Sequence, residues 1–195
     1  MYSYSINLEN VHVKSAHDDE YYSSTNVGGI HLEKNENGTA SYLNRIDKCW
    51  FQNNSIRFTG VTDSSIKGSY IWGHTREFAI GFFGASSGAN EVSGNLGIIT
   101  SQYKGGIYFG SAGINQMRII NNEFDGNPLL VGGIGIYMDR TMFNTTITGN
   151  TIWGCGSHGV YAKDPVALTV TGNNFWKNNR SDIGSDDIKI EGENF

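Results

Sequence analysis

The chain has 195 residues, a length that fits one domain, and its 38% hydrophobic and 12% aromatic content is enough to build a core, which argues against a disordered chain. It carries 26 glycines but only 2 prolines, with no three-residue glycine period, so it is turn-rich β material and not collagen. A formal net charge of −5 without a basic run argues against a nucleic-acid surface, and no apolar run is long enough to span a membrane.

The chain opens on a strand-like run from Ile6 to Val13, with no signal peptide visible in its first five residues. Two motifs then alternate to the end. One runs Gly29-Ile-His31, Ser55-Ile-Arg57, Ala79-Ile-Gly81, Gly106-Ile-Tyr108, Gly135-Ile-Tyr137, Gly159-Val-Tyr161 and Asp187-Ile-Lys189. The other runs Ile46-Asp-Lys-Cys-Trp-Phe51, Ile66-Lys-Gly-Ser-Tyr-Ile71, Val92-Ser-Gly-Asn-Leu-Gly97, Ile119-Ile-Asn-Asn-Glu-Phe124, Ile147-Thr-Gly-Asn-Thr-Ile152 and Val170-Thr-Gly-Asn-Asn-Phe175. Copies of the first motif recur every 24–29 residues. A period of that size means stacked units that bury their core only against their neighbours.

The unit from Gly135 to Ser157 shows what each repeat holds. Gly135 to Asp139 alternates apolar and polar residues, the pattern of a half-buried strand, with Ile136 and Met138 facing in. A polar turn, a second strand over Thr146–Gly149 and a third over Thr151–Trp153 follow, with Asn150 expected to make the bend between them in the left-handed region. Three short strands per repeat and no helical stretch predict an all-β parallel β-helix of about seven rungs. The bend asparagines Asn95, Asn122, Asn150 and Asn173 should form an internal ladder, continued by Ser69 and Cys49. Cys49 and Cys155 fall in different slots and read as unpaired, and no metal-ligand spacing is present, so neither a metal nor another cofactor is expected. The pattern breaks off at Glu191-Gly-Glu-Asn-Phe195, whereas solenoids carry caps. Residues 1–195 therefore read as a single β-helix domain cut from a longer chain.

The Gly-Ile-Tyr strand, the Asn bend and the period resemble the pectate-lyase-like superfamily of right-handed β-helices over residues 29–192. Within it, the Asn- and Gly-rich rungs look most like phage tailspike depolymerases. The resemblance implies a right-handed coil, a polysaccharide partner, homotrimeric packing, and an extracellular or virion-associated location in a tail fibre or spike. It does not supply catalytic machinery. Ser157-His158-Gly159 echoes the Gly-His-Gly motif of the polygalacturonase group and Asp187-Ile188-Lys189 only faintly echoes its Arg-x-Lys. Asp186-Asp187 follows the histidine in the wrong order, and the calcium-binding carboxylates of pectate lyases have no clear match.

Alternation along the first strand predicts an outward column of His31, Arg57, Gly81, Tyr108, Tyr137, Tyr161 and Lys189. Tyr108, Tyr137 and Tyr161 would form an aromatic ladder, read either as a sugar platform with Lys163 and His158 beside it, or as cross-strand stacking that stabilises the sheet, or as a face buried against another subunit. In this superfamily the groove lies along that strand. Asp139, Asp164 and Glu191 are the candidate catalytic carboxylates, Asp139 and Glu191 being two rungs apart, about 9–10 Å, near the spacing of an inverting glycosidase. His158 sits in a turn, where a surface residue is the commoner outcome. Two functions remain open: a polysaccharide-degrading β-helix, by hydrolysis or by elimination, and a non-catalytic shaft or glycan-binding module. A carboxylate pair walled by long loops would favour catalysis, and the loops here are short apart from Lys14–Val27 and Asn178–Ser185.

Overall fold

The structure is a computed structural model that describes residues 5–14, 29–34, 41–52, 54–72, 78–99, 105–126, 133–178 and 187–192. Among them every regular element is a β-strand, and every strand pair is parallel. The strands Gly29–Glu33, Ser55–Thr59, Ile80–Phe83, Ile107–Phe109, Ile136–Met138, Val160–Lys163 and Ile188–Glu191 form a seven-stranded first sheet. A second seven-stranded sheet runs from Asn7–Glu9 through Ser65–Lys67 and Arg118–Ile120 to Val166–Thr171. The third face has two parts, His12–Lys14, Trp50–Gln52 and Tyr70–Trp72, then Ile98–Ile99, Glu123–Asp125, Thr151–Trp153 and Asn174–Trp176, joined by a bridge from Tyr70 to Leu96. In each sheet a strand pairs with its counterpart one repeat away, so the architecture is the parallel β-helix that the period predicts.

Strict register explains the core. Ile30, Ile56, Ile80, Ile107, Ile136, Val160 and Ile188 stand one above another, buried from Ile56 to Val160 and less covered on the first and last rungs. Two residues on, Phe58, Phe82 and Phe109 stack with centroids 5.1 and 5.2 Å apart and planes 10° from parallel. Large side chains repeat at the rung spacing because each copy of the motif puts the same kind of residue in the same slot.

The asparagine ladder is present. Asn95 Nδ2 donates to Asn122 Oδ1 at 2.9 Å, Asn122 Nδ2 to Asn150 Oδ1 at 3.0 Å, and Asn150 Nδ2 to Asn173 Oδ1 at 2.9 Å. Each side-chain oxygen also accepts the backbone N–H of the neighbouring rung, and each Nδ2 donates to a backbone carbonyl such as Ile119 O. Groups that the bend would leave buried and unpaired are thereby satisfied. Ser69 Oγ takes the next position, and the Cys49 thiol stands in for an amide by facing the carbonyls of Asp47 and Leu8 at 3.3 and 3.5 Å. Asn173, on the last described rung of this column, is only half-buried.

The bend itself differs from the expectation. The left-handed residue is the one before the ladder residue: Gly68, Gly94, Asn121, Gly149 and Gly172 have φ between 53° and 67°, whereas Asn150 is not among the positive-φ residues. The split has a steric cause. The turn residue needs the left-handed region, which glycine enters without a Cβ penalty, and this frees the asparagine to aim its amide inward. A second column of the same design was not anticipated. Asn44, Ser64 and Asn90 are buried at the opposite end of the second sheet, with Asn44 N donating to Ser64 Oγ and Ser64 N to Asn90 Oδ1, both at 2.9 Å. Each follows a positive-φ residue, Leu43, Asp63 or Ala89. The longer loops expected at Lys14–Val27 and Asn178–Ser185 lie largely outside the described residues.

Candidate functional site

The predicted outward column of the first sheet exists in register: His31 faces Arg57, Arg57 faces Gly81, and Gly81, Tyr108, Tyr137, Tyr161 and Lys189 follow rung by rung. Tyr108 and Tyr137 have ring centroids 5.4 Å apart, and Tyr137 meets Tyr161 edge-on at 5.2 Å and 80°. Only part of this column reaches solvent. Tyr108 is 6% exposed, because Phe78 and Phe83 close over it at 6.0 and 5.8 Å. They can do so because Gly81 and Gly110 leave gaps. A Cβ at Gly81 would stand 2.5 Å from the Phe78 ring, and one at Gly110 2.7 Å from that of Phe83. Arg57 caps the cluster with its guanidinium carbon 4.1 Å from the Phe83 centroid. The accessible platform is therefore Tyr137 and Tyr161, both half-buried, with Lys189 beyond.

The tyrosine hydroxyls are tied down by two of the three candidate carboxylates. Tyr108 donates to Asp139 Oδ2 at 3.2 Å and Tyr137 to Asp139 Oδ1 at 3.1 Å. Tyr161 donates to Glu191 Oε2, whose other oxygen meets Lys189 Nζ at 2.6 Å. Arg140 is a cation paired with Asp139, at 3.8 Å. Burial, with the Asp139 charge and its hydrogen bonds behind it, pushes the phenols of Tyr108 and Tyr137 up to about 12. Burial and the bond to Glu191 push Tyr161 up as well. Glu191 is held below the usual carboxylate range, first by Lys189 and then by Tyr161.

The other named residues are less central. Lys163 is exposed and in register with Glu191. Asp164 occupies a left-handed turn, φ 46°, just past the strand end, and its N–H donates to the Glu191 carbonyl at 2.6 Å. His158 is 7% exposed, not a surface turn residue, and its ring lies 5.7 Å from that of Tyr161 at 33°. The structure thus brings together Tyr108, Tyr137, Asp139, Tyr161, Glu191 and His158, and leaves Asp164 joined to the group through backbone. Alternation also puts Phe83 on the outward side of this strand, but its closing over Tyr108 together with Phe78 was not legible in the sequence. The nearest signal was the pair of glycines in outward slots with phenylalanines nearby.

Residues 85–186, just over half of the chain, match a family described as periplasmic copper-binding protein (NosD). The chain belongs to that family. No curated protein matches it. The donor set of the described residues does not fit a copper centre. Among them no group of three or more His, Cys, Asp or Glu side chains converges on one point. His12 stacks on Trp50, His31 bonds to Thr59, and His158 packs on Tyr161, all at different places. Cys49 and Cys155 are buried, and burial pushes the Cys155 thiol up, away from the thiolate that a metal requires. His17 and His74 lie outside the described residues.

Proposed function

We propose that this NosD-family β-helix binds a polysaccharide outside the cytoplasm, on the outer face of the first sheet. One observation carries the reading: Tyr137 and Tyr161 stand 5.2 Å apart in register, each with its hydroxyl anchored to a carboxylate. Anchoring fixes the ring orientation before a ligand arrives, so little side-chain entropy remains to be lost on binding. A tyrosine face accepts the apolar C–H surface of a pyranose, while Lys189, Lys163 and the carboxylate edges can meet its hydroxyls. The family's description as periplasmic supports the location. Tailspike-like attachment to a virion is the finer reading that the sequence resemblance supports.

Binding without cleavage is the better-supported form of this function. Both oxygens of Asp139 accept a phenol, and Glu191 is engaged by Tyr161 and Lys189. A general acid or base must instead be open to the glycosidic oxygen or to water. Hydrolysis is the second reading, favoured by the two-rung separation of Asp139 and Glu191, about 9–10 Å, near the inverting range.

Affinity electrophoresis of the wild type and Tyr137→Ala on capsular and plant polysaccharides tests the first reading. Retardation of the wild type that Tyr137→Ala relieves is the expected result, and equal retardation of both refutes it. Reducing ends and the ultraviolet absorbance of unsaturated products, followed with Asp139→Asn, test cleavage. Turnover that Asp139→Asn abolishes while binding persists would establish hydrolysis or elimination in place of binding alone.

A further inference from the structure

All four tryptophans of the chain point outward from the third sheet. Trp50, Trp72 and Trp176 are 46, 44 and 56% exposed, and Trp153 is half-buried. Tryptophan is on average a well-buried residue, yet this core is built from isoleucine and phenylalanine and holds none. The rings fall into two groups. His12 stacks on Trp50 at 4.7 Å and 18°, and Tyr70 meets Trp50 edge-on at 5.8 Å, with exposed Leu96 on the rung beyond. Further along the axis Trp153 and Trp176 lie 6.0 Å apart, with Lys177 Nζ 4.5 Å from the Trp176 centroid. Trp72 and Trp153 are separated by three rungs, about 14 Å at the usual strand spacing.

We propose that this face is a second carbohydrate-binding surface, taking a neutral polysaccharide laid along the helix axis. The residues beside the rings argue for that occupant. Gln52, Thr151 and Asn174 share the face and offer hydrogen bonds to hydroxyls. The stretch between the two groups carries Glu123 and Asp125, which repel each other and would repel uronates, sulfated chains and anionic lipid alike. A stable interface between two copies would instead keep adjacent carboxylates out of its centre. Exposed tryptophan rings spaced at the rung repeat match a repeating ligand, because each ring can take one apolar sugar face. With the first sheet also engaged, the rod would hold glycan on two faces and gain affinity by linking the two sites.

The test uses the tryptophans themselves. Because all four lie on the third face, their emission reports that face, and ligand on Tyr137 and Tyr161 touches none of them. The full chain is titrated with hydroxyethylcellulose, galactomannan and xylan, with alginate as the anionic comparator. The expected result is a saturable change in tryptophan emission with at least one neutral chain. It should weaken about tenfold in Trp50→Ala and in Trp176→Ala, and persist in Tyr137→Ala, so that failure on the first sheet and failure here are told apart. Both tryptophans are exposed, and an unchanged far-ultraviolet circular dichroism spectrum confirms that the variants fold. A silent emission with all three neutral chains overturns the proposal, as does a response to alginate alone. A response that survives the Trp50→Ala, Trp176→Ala double variant also overturns it, and one that follows protein concentration without glycan assigns the face to a second copy.

Discussion

Phe78 lies where a side chain on Gly81 would have to go, its Cε2 2.5 Å from the position of a Cβ there. The gap and the ring that fills it decide how much of the tyrosine column is a platform and how much is a small outer core. Phe78→Ala should uncover Tyr108 and extend the accessible column by one rung, at a stability cost of about 3–5 kcal/mol for the lost burial. Chemical denaturation reads the cost. Nitration located by mass spectrometry reads the exposure, with Tyr108 protected in the wild type and modified in the variant.

The ladder predicts a different kind of loss. Asn150 accepts from Asn122 N and Nδ2, and donates to Ile119 O, Thr148 O and Asn173 Oδ1. Asn150→Ala would leave buried backbone groups of two rungs unpaired, so the loss should be on the order of 3 kcal/mol. A change of a few tenths in the unfolding free energy would mean that water or neighbouring amides replace those bonds.

Among the described residues, Tyr108, Tyr137 and Tyr161 should titrate late. Tyr108 and Tyr137 keep their protons up to about 12 when folded, against 10.0 for an ordinary phenol, and Tyr161 is raised too. A raised folded pKa means that the folded state holds the proton more tightly than the unfolded one. That contribution is present in full below pH 10 and is lost as pH climbs through the folded value. Tyrosinate absorbance should therefore show a late stage from these three phenols, accompanied by unfolding. In Asp139→Asn that late stage should move to lower pH, since the carboxylate that helps raise Tyr108 and Tyr137 is gone.

On the second sheet the sign reverses. Glu91 accepts from Lys67 at 2.9 Å and Arg118 at 2.7 Å, which together with Ser93 hold it below the usual glutamate range despite some burial. Its contribution is present at neutral pH and is lost as pH falls below the ordinary glutamate pKa toward its lower folded value. The stability difference between wild type and Glu91→Gln should shrink steadily on acidification in a series of denaturant melts, and shrink with added salt as well.

The repeat made most of the fold legible. An apolar residue every second position and an asparagine at a fixed offset specify inward columns without any long-range information, because each rung contacts only its neighbours. The second ladder follows the same rule, since Asn44, Ser64 and Asn90 each sit two residues before an inward Ile or Val, but its mixture of residue types hides the repeat. The sequence expectation of a left-handed Asn150 differs from the structure by one position, since Gly149 takes that conformation. Asparagine is a common turn former, but here its amide has a better partner inside the helix.

By itself, then, the sequence determined which side chains share a column: the Tyr108, Tyr137, Tyr161 ladder, the phenylalanine stack and the asparagine spine all follow from period and alternation. Only the tertiary structure decided which members of a column are available. Alternation assigns a side to each residue, but exposure depends on what folds back over that side. Phe78 reaches over Gly81 from outside the strand, the Tyr137 hydroxyl finds Asp139, and His158 tucks against Tyr161, none of which a repeat pattern encodes. The tryptophans are the converse case. Their outward slots could be read from alternation, but their remaining uncovered depends on the packing of neighbouring segments, and that becomes apparent only when the rungs are stacked.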